Sequence, residues 1–297
     1  MAKFRALHGK TNYSQIHTNL SKGSYLSGLF EGDGHIWIQS NMGKKRHNPR
    51  FCITFRMKNE PLAQKLLNII EFGFIRYKLK DNACVLVVSS IAGLKVIVEL
   101  INGKLRTPKI DQLHKLIDWL NQNHNTNIPK LPLNKSDLNS DNWLAGFIDS
   151  DGSFSVQYTK KENALKRKIS CRLRIEQRMF YPITNESYAE ILTVITKFLG
   201  CNLLTRLQKS TGNNYYNITA SNKVSLRIII DYITKYPLYS SKYLDYKDWK
   251  KIAELVIEST QYSEEGIALT ENVRSNMNRQ RTVFSWDHLK NLTKYSI

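Results

Sequence analysis

A membrane-crossing helix needs about 18 consecutive apolar residues, and no stretch of this 297-residue chain comes near that. Cysteine is scarce. Cys52, Cys84, Cys171 and Cys201 form no C-x2-C pair and have no suitably spaced histidine pair beside them, which argues against a structural zinc site and a disulfide framework. Three of them fall in strand-like runs and are expected to be buried small residues. Acid is scarce as well: 25 Asp and Glu stand against 44 Lys and Arg, a formal net charge of +19. With 41% hydrophobic residues the chain has material for a core, so this excess is not a mark of disorder. It implies a polyanionic partner, either nucleic acid or an acidic membrane surface. Residues 1–23 contain no acid and lack the apolar centre of a secretory signal, and are read as a basic arm.

What is present is a duplication. Residues 24–34 read SYLSGLFEGDG and residues 141–152 read DNWLAGFIDSDG. Aligned on the final Asp-Gly, both carry small residues one helical turn apart, Gly28/Gly32 and Gly146/Ser150. Both end in two acids two positions apart, Glu31/Asp33 and Asp149/Asp151. Asp33 and Asp151 lie 118 residues apart, close to half the chain. Two such stretches in register argue for an internal repeat.

The periodicities around them repeat too. Each motif helix leads into an alternating strand, HIWIQ and SFSVQY, then a basic loop, then a second strand, RFCITFRMK and ISCRLRIEQR. In RFCITFRMK, Phe51, Ile53, Phe55 and Met57 share one face. A helix, two more strands and further helices follow in each half. Residues 121–142 are Asn-rich, contain two prolines and lack apolar periodicity, as a linker would. The expected organisation is α+β: two pseudo-symmetric α-β-β-α-β-β-α repeats, over residues 24–120 and 143–260, followed by a basic tail from 261 to 297. Gly34 is expected to end the first motif helix in a left-handed conformation.

A carboxylate at a helix C-terminus opposes the helix dipole and costs up to about 1 kcal/mol. One such acid is an ordinary solvated terminus, but two in equivalent positions need a better reason. If Gly28/Gly32 packs against Gly146/Ser150, the backbones approach closely and Asp33 and Asp151 emerge side by side. Like charges that close destabilise each other unless a proton or cation intervenes. Mg2+ suits all-oxygen ligation and binds phosphate oxygens, which connects the acids to the net charge.

The strand faces fit a nucleic-acid partner. In the first half they offer His35, Trp37 and Gln39, then Arg50, Thr54 and Arg56, then Arg76, Lys78 and Lys80, with Asn41, Lys44 and Arg46 in the basic loop. In the second half they offer Ser153, Ser155 and Gln157, then Lys168, Arg172 and Arg174, then Arg206 and Gln208. Arg and Gln read guanine and adenine edges in the major groove, which admits a β-ribbon, while loop cations hold phosphates.

SGLFEGDG and AGFIDSDG resemble the two defining motifs of the LAGLIDADG homing endonucleases in their single-chain, two-repeat form. The resemblance spans about residues 24–260, and NMNRQRTVFSWDHL resembles tails of organellar members. It implies a saddle whose two antiparallel sheets straddle double-stranded DNA in the major groove, with the motif helices as the core between repeats. It also implies two divalent metal ions, or three sharing the central position, and cutting of both strands at a long pseudo-palindromic site with short 3′ overhangs. By motif position, Asp33 and Asp151 are the metal ligands, assisted by the Gly32 and Ser150 carbonyls, whereas Glu31 and Asp149 take lesser, structural roles. The family's polar residue near the end of each second strand is matched by Gln177. Position 57, aligned with it, is Met57, followed by Lys58, so the two halves differ. The family's basic residue after the fourth strand and its helix is matched by Lys104 or Lys109 in the first half and by Lys242 in the second. The resemblance further implies Mg2+ for cleavage, Ca2+ supporting binding alone, a monomer, and a mitochondrial setting. Host intron RNA is the partner in the rival reading, a maturase on the same scaffold. A DNA-binding protein that does not cut is another rival. Retention of both acids favours the nuclease.

Overall fold

In the computed structural model, which describes residues 23–39, 47–159, 168–210 and 212–293, the chain makes two copies of one topology. The first contains helix α1 (Ser24–Asp33), strands β1 (Gly34–Trp37) and β2 (Arg50–Arg56), helix α2 (Glu60–Ile70), strands β3 (Phe74–Lys78) and β4 (Ala83–Val88), and helices α3 (Ile91–Ile101) and α4 (Ile110–His124). The second contains α5 (Trp143–Asp151), β5 (Gly152–Thr159), β6 (Lys168–Arg178), α6 (Ala189–Leu199), β7 (Leu203–Gln208), β8 (Asn213–Ala220), α7 (Lys223–Lys235) and α8 (Lys242–Glu258). Both sheets are antiparallel with matching orders, β1-β2-β4-β3 and β5-β6-β8-β7. The result is the pseudo-symmetric α+β saddle expected from the repeat. The basic arm before Gly23 and the loop candidates Asn41, Lys44 and Arg46 lie outside the described residues, as do residues 160–167.

Alternation along the strands decides which face is buried. Phe51, Ile53 and Phe55 on β2, and Cys171, Leu173 and Ile175 on β6, point into the core against the helices. Cys52 and Cys84 are buried too, as anticipated, but Cys52 sits on the outer face in a small patch with Val85 and Val87.

The centre of the molecule is the packing of α1 on α5. Tyr25, Leu26, Leu29 and Phe30 fill one side, and Trp143, Leu144, Phe147 and Ile148 the other. Where the helices come closest, at Gly28 and Gly146, each glycine faces the backbone of the other helix. A Cβ on Gly28 would stand 2.0 Å from the Trp143 carbonyl oxygen, and one on Gly146 would stand 2.1 Å from that of Tyr25. The helices run parallel, so their C-terminal ends, with Asp33 and Asp151, finish together. A Cβ on Gly32 would lie 3.2 Å from Asp151 Oδ2.

One expectation for this region is corrected. Gly34 is not left-handed: its φ is −94° and ψ is 162°, so α1 passes straight into β1. The glycine is needed for space, since a Cβ would meet the Phe30 ring at 2.3 Å.

After α4 the chain crosses to the second repeat along an ordered path. Asn134 N–H donates to the Leu105 carbonyl, and Arg106 donates to the Ser136 carbonyl (2.6 Å) and to Asp141 (3.1 Å). At the other end, the tail forms helix α9 (Glu264–Asn276), then a strap that returns to the second repeat and buries Met277, Leu289 and Leu292.

Candidate active site

The two acids of each motif do different work. Glu31 is fully buried and accepts backbone N–H bonds from Arg106 (2.9 Å) and Thr107 (2.6 Å), and the indole N–H of Trp143 (2.5 Å). Asp149 accepts from the Tyr239 (2.7 Å) and Ser240 (3.1 Å) backbone, the Ser240 hydroxyl (2.5 Å) and the Tyr25 hydroxyl (2.8 Å). Each therefore ties down the loop of its own repeat and reaches across to an aromatic donor on the opposite motif helix. Tyr25 and Trp143 occupy equivalent positions, so the exchange is reciprocal. Burial raises the Glu31 pKa, and the surrounding donors pull it back. Because every partner of Glu31 is a donor, the isosteric E31Q substitution necessarily turns an amide NH2 toward another N–H. It is expected to destabilise the fold by about 2–3 kcal/mol, read as a lower urea midpoint with unchanged m. An unchanged midpoint would count against this bonding scheme.

Among the described residues, Asp33 and Asp151, two residues further on, have no such network. Burial raises the Asp33 pKa, opposed by Lys242, Lys109 and Arg56. Burial first, and the neighbouring Asp33 charge second, push the Asp151 pKa up to about 7, again opposed by Lys242 and Lys109. The side chain bonded to the pair is Gln177, whose Nε2 donates to Asp151 Oδ2 at 3.0 Å while its Oε1 accepts the Arg178 N–H. It can reach because it lies on the core-facing side of β6, next to the end of α5.

Strand register corrects the partner assigned to Gln177 in the first half. Gly34 pairs with Ile53 and Gly152 with Ile175, so two residues further along it is buried Phe55, not Met57, that stands where Gln177 stands. The asymmetry is sharper than expected, because no polar atom occupies that place. Lys58 lies beyond the strand end with its ammonium 5.5 Å from the centre of the Phe284 ring. Among the described residues it hydrogen-bonds to neither motif carboxylate.

Of the candidate lysines, Lys109 and Lys242 are counterparts. Lys109 Nζ donates to the carbonyls of Phe30 (3.2 Å), Gly32 (2.8 Å) and Gly34 (2.8 Å). Lys242 Nζ donates to those of Ile148 (3.1 Å) and Ser150 (2.6 Å). Each ammonium caps a motif helix at its negative end, where the dipole favours a cation. Burial lowers both pKa values, and the nearby carboxylates oppose the shift. Lys104 is elsewhere: its charged neighbour is Asp141, at the N-terminal end of α5. The Gly32 and Ser150 carbonyls thus already accept hydrogen bonds from ammonium groups.

The outer strand faces carry the remaining candidates together. Cross-strand pairing puts Trp37 opposite Arg50, Thr54 and Arg76 on either side of Val85, and Arg56 and Lys78 on either side of Ala83, with His35 opposite Cys52. Arg50 stacks over Trp37 at 5.2 Å. Burial lowers the His35 pKa, and Lys109, Lys78 and Arg76 add to the effect, as a cationic face would. Gln39 continues from β1, and Lys80 sits in the exposed turn after β3. In the second sheet Ser153 faces Arg174, Ser155 faces Arg172, Gln157 faces Ser170 and Thr159 faces Lys168, with Arg206 and Gln208 on the same side of β7. Sequence reasoning passed over Glu176 on this face. Burial disfavours its charge, but Arg206 and Arg174 hold its pKa below the usual range. Arg206 donates to it at 2.6 Å, Arg174 from the other side and Asn217 at 3.3 Å, so one acid fixes two arginines. Strand alternation put Glu176 among the arginines, but only the fold brings Arg206 to it.

Against known proteins, a family model described as LAGLIDADG endonuclease matches residues 26–120 and 144–253. The intron-encoded DNA endonuclease aI3 of Saccharomyces cerevisiae is 31% identical over 313 aligned residues, covering 95% of this chain and 74% of that protein. Among solved structures, the LAGLIDADG homing endonuclease I-LtrWI bound to target DNA superposes with a TM-score of 0.68 at 19% identity, covering 90% of this chain and 99% of that one. I-SmaMI bound to cleaved DNA gives 0.67 at 20% identity, covering 87% and 97%. At these identities the two superpositions establish the fold.

Proposed function

Because the chain belongs to the LAGLIDADG endonuclease family, we propose that it is a site-specific endonuclease that cuts both strands of a long, pseudo-palindromic DNA site and leaves short 3′ overhangs. The observation that carries this reading is the meeting of Asp33 and Asp151 at the ends of two parallel helices, between two cationic strand faces.

The residues at that meeting point suit a divalent cation. Among the described residues no direct ion pair neutralises their charges, and the two nearby lysines are spent on carbonyls. Among the described residues no three His, Cys, Asp or Glu side chains form a metal-holding group. The protein thus offers two carboxylates and leaves other positions to water and phosphate oxygens, which is how Mg2+ is commonly held. Asp33 and Asp151 would hold the ions, with the Gly32 and Ser150 carbonyls as secondary donors. Bound there, divalent cations would neutralise charge at the scissile phosphates and acidify water.

The chain's own residues supply the rest. Gln177 orients Asp151 and gives that half a polar group for ordering solvent, which Phe55 does not give the other half. Lys109 and Lys242 fix the helix ends that aim the acids and keep positive charge close to the phosphates. The outer strand faces bind the duplex, with Arg50, Arg56, Arg172 and Arg174 against bases and backbone and the lysines against phosphate. One chain contributes both acids, so a monomer completes the site. We propose a mitochondrial setting for the protein, a reading supported by its likeness to intron-encoded relatives.

The test is exposure of the full chain to a randomised duplex library in Mg2+, in Ca2+, and without divalent ions. Recovery of one sequence family in Ca2+, cut in both strands only when Mg2+ is present, is the expected outcome. Cleavage without added metal, or recovery of no sequence preference, would contradict it.

A further inference from the structure

The two halves of the site differ in the connection that leaves the second strand. After β6, residues 179–188 intervene before α6, and Tyr181 from this connection accepts a 2.7 Å hydrogen bond from Gln112 on α4 of the other repeat. After β2, only Met57–Asn59 intervenes before α2. The place left open on the Asp33 side is a cavity of about 790 Å3, whose walls include Asp33, Arg56, Lys58 and Lys242.

The C-terminal strap comes to this place. Asp245 stands three residues after Lys242, as Gln112 stands three after Lys109, and Asp245 is the strap's anchor. Its Oδ1 accepts the Asn278 N–H (2.8 Å) and Arg281 Nε (2.9 Å), while Asp248 accepts Arg281 Nη2 (2.6 Å). Asn278 Nδ2 adds a bond to the Phe154 carbonyl at 3.0 Å. Asn278 turns the strap with a φ of 59°, a left-handed conformation that Asn tolerates better than most residues. The Asp245–Arg281 pair is nearly buried, with side chains 6% and 13% exposed, so screening weakens it little.

Between these anchors stands Arg279. It is exposed, lines the cavity and has no ion pair or hydrogen-bond partner among the described residues, whereas Arg281 has two carboxylates. Adding Arg279 to a wall that already holds Arg56, Lys58 and Lys242 costs like-charge repulsion unless an anion arrives. Asp149 and Asp245, the other acids in the cavity wall, are consumed by internal bonds, so Asp33 is the acid left facing it.

We propose that Arg279, held in place by the Asp245–Arg281 clamp, binds a backbone phosphate of the DNA strand processed on the Asp33 side. The strap thereby serves as part of one half of the active site only. On the Asp151 side the 179–188 connection occupies the corresponding place, with Tyr181 bonded to Gln112 as the strap is bonded to Asp245. The proposal rests on the endonuclease reading, but its binding arm stands apart from cleavage.

The experiment compares the full chain with R279Q, R279K and R281Q, on a duplex recovered from the randomised library and labelled differently on its two strands. R279Q is expected to change the ratio of the two strand-cleavage rates about tenfold, so that nicked duplex accumulates. That is the scale of one charge-assisted hydrogen bond to phosphate. R279K should restore the ratio, and R281Q should reproduce the R279Q defect although Arg279 is retained. In Ca2+, the slope of log binding constant against log salt should become shallower by about one for R279Q, as for one lost phosphate contact. An unchanged slope, or equal slowing of both strands, would overturn the proposal. A wild-type chain that binds this duplex and cuts neither strand would refute the nuclease reading alone, and the salt slope would still decide the role of Arg279.

Discussion

Replacing either motif aspartate with asparagine, D33N or D151N, is expected to reduce cleavage by at least about 10³-fold, the range seen when a group acting on transition-state charge is removed. Binding to the same duplex in Ca2+-free buffer should change little, because neither acid lies on the strand faces. Stability supplies a second readout. Burial and the Asp33 charge have pushed the Asp151 pKa up to about 7, so in the absence of a cation the pair works against the fold. Each neutral variant should therefore melt at the wild-type temperature or above it in EDTA. The combination of lost cutting and preserved or increased stability distinguishes acids that hold a cation from acids that merely end helices. A cap-like role would leave the cleavage rate intact.

The second large effect concerns the helix pair that brings these acids together. A Cβ at Gly28 would lie 2.0 Å from the Trp143 carbonyl oxygen and 2.7 Å from the Phe147 nitrogen. At Gly146 the obstacles are the Tyr25 carbonyl oxygen at 2.1 Å and the Leu29 nitrogen at 2.9 Å. These are backbone atoms of a packed helix and cannot rotate aside, so G28A and G146A must separate α1 from α5. The expected loss is about 3 kcal/mol or more, a fall in Tm of about 10 °C for a protein of this size, with cleavage lost as the acids part. G32A differs in an instructive way. Its Cβ would meet the Ser150 hydroxyl at 1.9 Å, which can swing away, and the Ser150 Cβ at 2.3 Å, which cannot. This contact lies at the end of the helix pair and involves no backbone atom, so the melting point should fall less than for the two central glycines. Differential scanning calorimetry of the three variants tests the ordering, and equal losses at all three glycines would contradict it.

Much of this was legible in the residues. Small residues at helical spacing beside repeated acids indicated both a close helix crossing and a pair of adjacent carboxylates. Period-2 alternation also placed nearly every cationic candidate on the outer face, from Arg50 and Arg56 to Arg172 and Arg174. The misreadings share a cause: they depend on distances through space that no local pattern encodes. Gln177 was set against Met57 because the two halves were aligned by position, but the loop between the first two strands differs in length, and only the hydrogen-bond ladder shows that Phe55 is its counterpart. Lys104 and Lys109 were indistinguishable in NGKLRTPK. What separates them is that Lys109 starts a helix beside the end of α1, within reach of three backbone carbonyls. The tail was legible as a basic segment but its path was not, because its buried residues, Met277, Leu289 and Leu292, come singly and follow neither the helical nor the strand period.

The jobs of the four motif acids are likewise divided by environment. Glu31 and Asp149 sit two residues inside the helices and are saturated with donors, each bonded to an aromatic of the opposite repeat. Asp33 and Asp151 sit where the helices stop, crowded by each other and by lysines that face away toward carbonyls. Motif position already separates the two pairs, and the fold shows the donors that hold the inner one.

The most direct test of the central claim uses the double variant D33N/D151N beside the wild type, on the duplex recovered from the randomised library, in Mg2+, with both strands labelled and the ends sequenced. The wild type should cut both strands to give one short 3′ overhang, while the double variant should retain the same sequence preference in binding and leave both strands whole. Cleavage by the double variant at the wild-type rate would contradict the assignment of the two aspartates as the acids on which cutting depends.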